Sequence, residues 1–165
     1  MRVNEQIVEL LKKHPEGGEK FFDALDLMIR SDISILDSFT HFIENDLVNS
    51  DKISVILTGH FGRALVNFKY DWLRNNFSDF VLVNGGIRSG ANVEIDRLPD
   101  KYNCVFIDDS FYSGTTRDKI MEALGHNYEC MYSYVIYDGS KHYGIQSNVY
   151  SMFRYYEKDA LGLII

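Results

Sequence analysis

Two adjacent carboxylates, Asp108 and Asp109, stand between four apolar residues and a hydroxyl-rich glycine turn. Residues 104–116 read Cys-Val-Phe-Ile-Asp-Asp-Ser-Phe-Tyr-Ser-Gly-Thr-Thr. The apolar residues predict a buried strand, and the loop opens directly into a helix. The carboxylates are acceptors suited to a pair of vicinal hydroxyls. Ser113, Gly114, Thr115 and Thr116 offer hydroxyls, backbone N–H groups and the positive end of a helix, which together suit a phosphate. Gly114 admits a positive φ and a close backbone approach. Ligands of parallel α/β sheets bind at this edge. A sugar bearing both a diol and a phosphate satisfies both halves at once. The local alternative is structural: an Asp-Asp turn at a strand end, with Thr116 capping the helix that begins there.

The run resembles the phosphoribosyl-diphosphate signature of type I phosphoribosyltransferases. That signature has four apolar residues, two acidic residues, then a loop ending in Thr or Ser, Gly, any residue, and Thr or Ser. The resemblance implies that Asp108 and Asp109 hold the ribose 2- and 3-hydroxyls. It implies that Ser113, Gly114, Thr115 and Thr116 wrap the 5-phosphate. The implied fold is a three-layer α/β domain, a parallel sheet flanked by helices with a helical N-terminal hood. The implied activity displaces diphosphate from C1 of phosphoribosyl diphosphate with a nitrogen nucleophile, a nucleobase. Magnesium would be the cofactor, bound mainly by substrate oxygens and water, with no metal site on the protein itself. Asp108, Asp109 and Arg88 are the candidate catalytic residues.

Phe111 and Tyr112 depart from the family pattern. Purine-salvage members carry an acid where this chain has Tyr112, so the general-base role does not transfer to a phenol. Tyr112 and Tyr137 are instead candidates to stack on a base. Two other readings stay open: a non-catalytic phosphoribosyl- or nucleotide-binding regulatory module, and a hydrolase that uses water on the same scaffold.

An earlier junction has related grammar. The strand candidate over residues 53–57 is followed by Thr58-Gly-His-Phe-Gly-Arg63, which is similar to the family's pyrophosphate loop. On that resemblance Thr58, Gly59, His60, Gly62 and Arg63 contact the diphosphate. Gly59 and Gly62 permit the tight path, and Arg63 supplies charge to phosphate oxygens. Residues 85–100 lie where the family carries a mobile lid. Gly85, Gly86 and Gly90 fit a moving segment with Arg88 as its early cation. A β-hairpin with residues 92–95 as one arm fits the same stretch.

The elements that must position these groups follow from periodicity. Ile7, Leu10 and Leu11 share a helical face, as do Phe21, Phe22, Leu25, Met28 and Ile29. Asp32 is placed to cap a third helix with Leu36, Phe39, Ile43 and Leu47 on its buried side. Further strands are expected at residues 80–83, 104–107, 131–137 and 149–153. Helices are expected over 64–74, with Leu65, Phe68 and Trp72 on one side, and over 116–124, closed by Gly125. Strands separated by helical stretches imply a parallel sheet with right-handed crossovers.

The chain has 165 residues, of which 45% are hydrophobic, enough for one domain with its own core. That domain divides into a helical hood region at 1–50, a core at 51–140 and a C-terminal strand and tail at 141–165. A net charge of −7 without a basic run argues against tight nucleic-acid binding. Cys104 and Cys130 both sit in apolar runs and read as buried thiols. No segment has the length to span a bilayer, and the N-terminus lacks a signal peptide's apolar stretch. The expected protein is cytoplasmic, binds a small-molecule substrate away from membranes, and leaves room for a homodimer.

Overall fold

The computed structural model describes residues 3–13, 19–44, 52–83, 93–95, 97–111, 114–140 and 148–154. Its centre is strand β1 (Ser54–Thr58), buried at every position. A strand covered on both faces needs apolar residues throughout, and Val55-Ile-Leu57 supplies them. Around it lie β2 (Asp79–Val83), β3 (Asn103–Phe111), β4 (Glu129–Asp138) and β5 (Val149–Arg154), in the order β2-β1-β3-β4-β5. All four pairings are parallel.

Among the described residues six helices cover the sheet: α1 (Val3–Lys13), α2 (Glu19–Ser31), α3 (Ser34–Glu44), α4 (Gly59–Phe68), α5 (Tyr70–Asn76) and α6 (Thr115–Leu124). Side chains alternate between the faces of each strand. Val105 and Ile107 join Ile7, Phe21, Leu25, Phe39, Leu65 and Leu73 in one core, under helices α1 to α5. Cys104 and Phe106 join Ile120 and Leu124 of α6 in the other. The result is the expected three layers. The N-terminal helices pack into the same core as the sheet.

Several boundaries differ from the sequence expectation. Helix α4 starts at Gly59, five residues before Ala64, because the chain turns from strand to helix with no intervening loop. The single helix expected over 64–74 breaks at Lys69, whose φ of −127° and ψ of 29° are not helical. Phe68, at the end of α4, is exposed, and Leu73 of α5 is buried. Strand β3 runs four residues past Ile107, because β4 continues beside it and Gly139 N–H donates to the Phe111 carbonyl at 2.8 Å. At the start of α3, Asp32 accepts a hydrogen bond from the Ser34 N–H at 3.0 Å, as expected, and hydrogen bonding from the Ser34 side chain, then from its N–H, lowers the Asp32 carboxyl pKa. Leu47 lies outside the described residues.

The amino edge of the sheet is pinned by one buried carboxylate. Asp79 accepts from the Ser54 hydroxyl, from Arg97 Nη1 at 3.0 Å and from the Asp100 N–H at 3.1 Å. These bonds tie β1, β2 and residues 97–101 together at the edge opposite the candidate site. Among the described residues, no helix is long and apolar enough to cross a membrane.

Cys104 and Cys130 are free thiols, partnered in register across β3 and β4. Burial pushes the Cys104 thiol from 9.0 up to about 12. On raising the pH, the unfolded chain therefore releases this proton before the folded one. The stability contribution is intact below pH 9.0 and is lost towards about 12. Cys104→Ala should flatten the fall of the urea midpoint across that interval. An unchanged slope would show that the thiol ionises equally in both states.

Gly62 provides a test of the helix–sheet contact. A Cβ there would meet Leu57 Cβ and Leu82 Cδ1 at 3.1 Å, and the Leu57 carbonyl carbon at 3.2 Å. Backbone cannot yield as a flexible side chain can, so Gly62→Ala should cost about 1–3 kcal/mol by overpacking. Chemical denaturation measures it, and a wild-type midpoint would refute the close approach of α4 to β1.

Candidate functional site

The chain leaves β1, crosses through α4 and α5 to β2 on one side, and then returns to place β3 on the other side of β1. Strand order therefore reverses between β1 and β3. A crevice opens beyond the carboxyl ends of two strands at such a point, because their connections depart in opposite directions. Leu57 and Ile107 are partners in register here. Thr58 and Asp108 come next, so the two loops singled out in the sequence lie side by side.

On the β3 side, both carboxylates belong to the strand itself and not to a loop after it. Strand alternation sends Asp108 towards the α6 face and Asp109 towards the α1–α5 face. Asp109 is only 5% exposed and Asp108 is half-buried. Asp108 Oδ1 accepts the Asp109 N–H at 2.8 Å, and Asp109 Oδ1 accepts the Ser110 hydroxyl at 3.0 Å. Short local bonds of this kind fix the orientation of each carboxylate.

Helix α6 opens one residue earlier than expected. Gly114 is the N-cap, with φ of +80°, and the Asp118 N–H closes the first turn onto its carbonyl at 2.9 Å. Thr116 is therefore the second helical residue, and the capping role expected for it is corrected. Glycine takes the cap because only it adopts this left-handed turn without strain. The N-cap glycine has no side chain with which to cap α6. Thr115 is exposed and Thr116 half-buried. Ser113 and Tyr112 lie outside the described residues.

Beneath this turn is an arrangement that sequence reasoning missed. The Arg117 guanidinium lies 4.7 Å from the centre of the Phe111 ring, and its Nη1 donates to the Ser133 hydroxyl at 3.4 Å. The Phe111 ring comes within 3.1 Å of where a Gly114 Cβ would sit. Phe111, one of the two departures from the family pattern, thus supports the loop from below. That departure was the available signal.

On the β1 side, Thr58 is the N-cap of α4, 4% exposed and with no side-chain cap hydrogen bond. Gly59 makes the turn with φ of +69°. His60 and Arg63 are exposed in the first turn, which contains no acidic residue. Gly62 has a different role from the one expected. It is buried inside α4 against Leu57 and Leu82, so its small size serves packing and not the path of a loop. The structure also adds Arg30 of α2, whose Nη2 lies 3.2 Å from His60 Nδ1. The two residues are 30 positions apart, and nothing in their spacing connects them.

Tyr137 is corrected as a base-stacking candidate. It is 1% exposed and its ring packs 5.2 Å from that of Phe21, so both faces belong to the core. Arg88 and the glycines of the expected lid lie outside the described residues. Val93–Ile95 form no strand, and Val93 and Ile95 pack on the α6-side core, so the expected hairpin arm is not formed there.

Two substitutions separate cap from loop. Gly114→Ala should cost about 1 kcal/mol or more, since it meets both the left-handed φ and the Phe111 ring. Thr116→Ala should stay within about 0.5 kcal/mol of wild type, because no cap is lost. Thermal melts of both variants decide this. A destabilised Thr116→Ala beside a neutral Gly114→Ala would return the cap to Thr116.

No protein-family model matches the sequence, and no curated protein matches it either. Solved structures do resemble it. Orotate phosphoribosyltransferase from Aeropyrum pernix aligns over 81% of this chain and 77% of its own, at 19% identity and a TM-score of 0.53. Adenine phosphoribosyltransferase from Thermoanaerobacter pseudethanolicus aligns over 77% of this chain and 84% of its own, at 14% identity and a TM-score of 0.51. With the strand order, the three layers and the placement of both strand–helix junctions, these likenesses establish that the chain has the type I phosphoribosyltransferase fold.

Proposed function

We propose that this protein binds phosphoribosyl diphosphate and transfers its phosphoribosyl group to a nitrogen nucleophile, a nucleobase. The observation that supports this most is the pairing of two helix N-termini at one edge of the sheet. Helices α4 and α6 both begin at the β1–β3 reversal, and the Asp108–Asp109 pair lies beside them. One such end suits a terminal phosphate, two suit a ligand with phosphate groups at both ends, and the carboxylates between suit its diol. The two solved relatives named above are nucleobase phosphoribosyltransferases by name.

On this reading Asp108 and Asp109 accept the ribose 2- and 3-hydroxyls. Gly114, Thr115 and Thr116, with Ser113, donate to the 5-phosphate. The α4 turn, with Thr58, Gly59, His60 and Arg63, takes the diphosphate. In the reaction the C1–oxygen bond to diphosphate breaks, its electron pair leaves on the diphosphate, the nitrogen–C1 bond forms, and the nitrogen's proton is released to solvent. Arg63 stabilises charge that grows on the leaving group, an interaction stronger in the transition state than in the ground state. Arg88 is the second cation assigned to this charge.

The magnesium that this reading implies would be held mainly by substrate oxygens and water. The oxygen donors at the end of β3 suit a hard cation. Among the described residues no three His, Cys, Asp or Glu side chains group into a metal cage. When bound, the ion neutralises diphosphate charge.

Diphosphate release from phosphoribosyl diphosphate, measured with and without a panel of nucleobases, tests the activity. Base-dependent release is expected. Base-independent release would make the protein a hydrolase, and saturable binding without release would make it a binding module. Asp108→Asn with Asp109→Asn should weaken binding at least about tenfold, the scale of losing charge-assisted hydrogen bonds. Unchanged calorimetric affinity in that double variant would sink the ribose assignment. Arg63→Ala should weaken phosphoribosyl diphosphate and spare a nucleoside monophosphate. Equal losses for both ligands would move Arg63 to the other phosphate.

A further inference from the structure

We infer that Arg30, delivered by helix α2, is a diphosphate-binding residue, and that His60 is the side chain that holds it in place. The inference rests on the proposed reading of the α4 turn and adds a residue from a different part of the chain. Arg30 occupies the last turn of α2, while His60 occupies the first turn of α4. Helices α2 and α4 share one core, through Phe21, Leu25 and Ile29 on one side and Phe61 and Leu65 on the other. That packing brings the end of α2 over the start of α4.

The contact has a defined direction. A guanidinium has donors only, so at 3.2 Å His60 Nδ1 must accept from Arg30 Nη2. The ring proton then resides on Nε2, and His60 keeps one N–H donor. Both side chains are exposed, so the pair presents a fork of donors to solvent at the helix end. Arg63 stands one helical turn beyond His60 on the same exposed side. Two arginines and an N–H donor therefore gather where a helix favours negative charge.

The turn holds one further polar side chain. Thr58 is a buried polar residue at the N-cap, 4% exposed, and its hydroxyl takes none of the first-turn N–H groups. Nor does the first turn carry an acidic side chain of its own. The donors, the charge and the hydroxyl suit a ligand with several anionic oxygens. A diphosphate matches them better than a monoester, because a guanidinium fork and separate N–H donors can engage oxygens on both phosphorus atoms.

Calorimetry on the full chain tests this with three probes: phosphoribosyl diphosphate, inorganic diphosphate and ribose 5-phosphate. Arg30→Ala should weaken the first two about tenfold, the scale of one charge-assisted contact, and leave ribose 5-phosphate unchanged. Arg30→Gln, which keeps a donor without the charge, should fall between wild type and Arg30→Ala. His60→Ala should weaken the same two probes, and the Arg30→Ala, His60→Ala double variant should lose less than the sum of the single losses, because His60 acts partly through Arg30. Both single variants should melt with wild type, since both side chains are at the surface. If wild type binds all three probes and Arg30→Ala binds diphosphate as tightly, the inference fails and the reading of the site survives. Equal weakening of ribose 5-phosphate also overturns it, since Arg30 would then not be specific to diphosphate. Wild type binding none of the probes overturns the reading of the site and the inference together.

Discussion

The parallel pairing of β1 with β3 is the contact on which the rest of the structure depends. It joins two strands whose following connections leave on opposite faces of the sheet, α4 on one and α6 on the other. Because the strands are parallel and adjacent, both helices begin at the same edge. Because they diverge, the backbone between their starts is not filled by either connection. A register shift of one residue would exchange the faces of Val55, Leu57, Val105 and Ile107, and put core residues on the wrong side. Burial of those four side chains thus sets which residues reach the edge. The site geometry is a consequence of core packing several residues below it.

This dependence explains which parts were legible in the sequence. The central strands are buried on both faces, so they appear as continuous apolar runs, and Val55-Ile-Leu57 and Cys104-Val-Phe-Ile107 were found within a residue or so at their starts. The ends were not. Asp108 and Asp109 have weak strand preference, and the pairing of residues 108–111 with Val135 to Asp138 of β4 keeps them extended. Gly59 and Gly62 within six residues read as a loop, yet one makes a turn and the other lets a helix sit against β1. Tyr137 and a ligand-facing tyrosine look alike in a sequence, because alternation separates faces but does not say which face is covered. Arg30 and His60 were invisible as a pair, since the contact depends on how α2 crosses α4. Asp79 and its partners, spread over residues 54–101, were hidden for the same reason.

The two helix starts also differ in charge, and that difference has a physical reading. Helix α6 carries Asp118 beside Arg117 in its first turn, so the side chains there bring no net charge. Helix α4 carries no acid there and instead gathers His60, Arg63 and the incoming Arg30. A cation at a helix N-terminus is unfavourable, by about 0.3–1 kcal/mol for an exposed position. Selection for stability alone would place Asp or Glu at these positions and would not bring a further arginine from another helix. Local disagreement of this kind is expected where a ligand supplies the missing term. On the proposed reading the two ends then sort their phosphates by charge: the α6 turn, with no net side-chain charge but with its hydroxyls and glycine, takes the monoester, and the uncompensated α4 turn takes the diphosphate, whose charge rises further as the C1–oxygen bond breaks. The cations that destabilise the free helix are then the ones that favour departure of the leaving group.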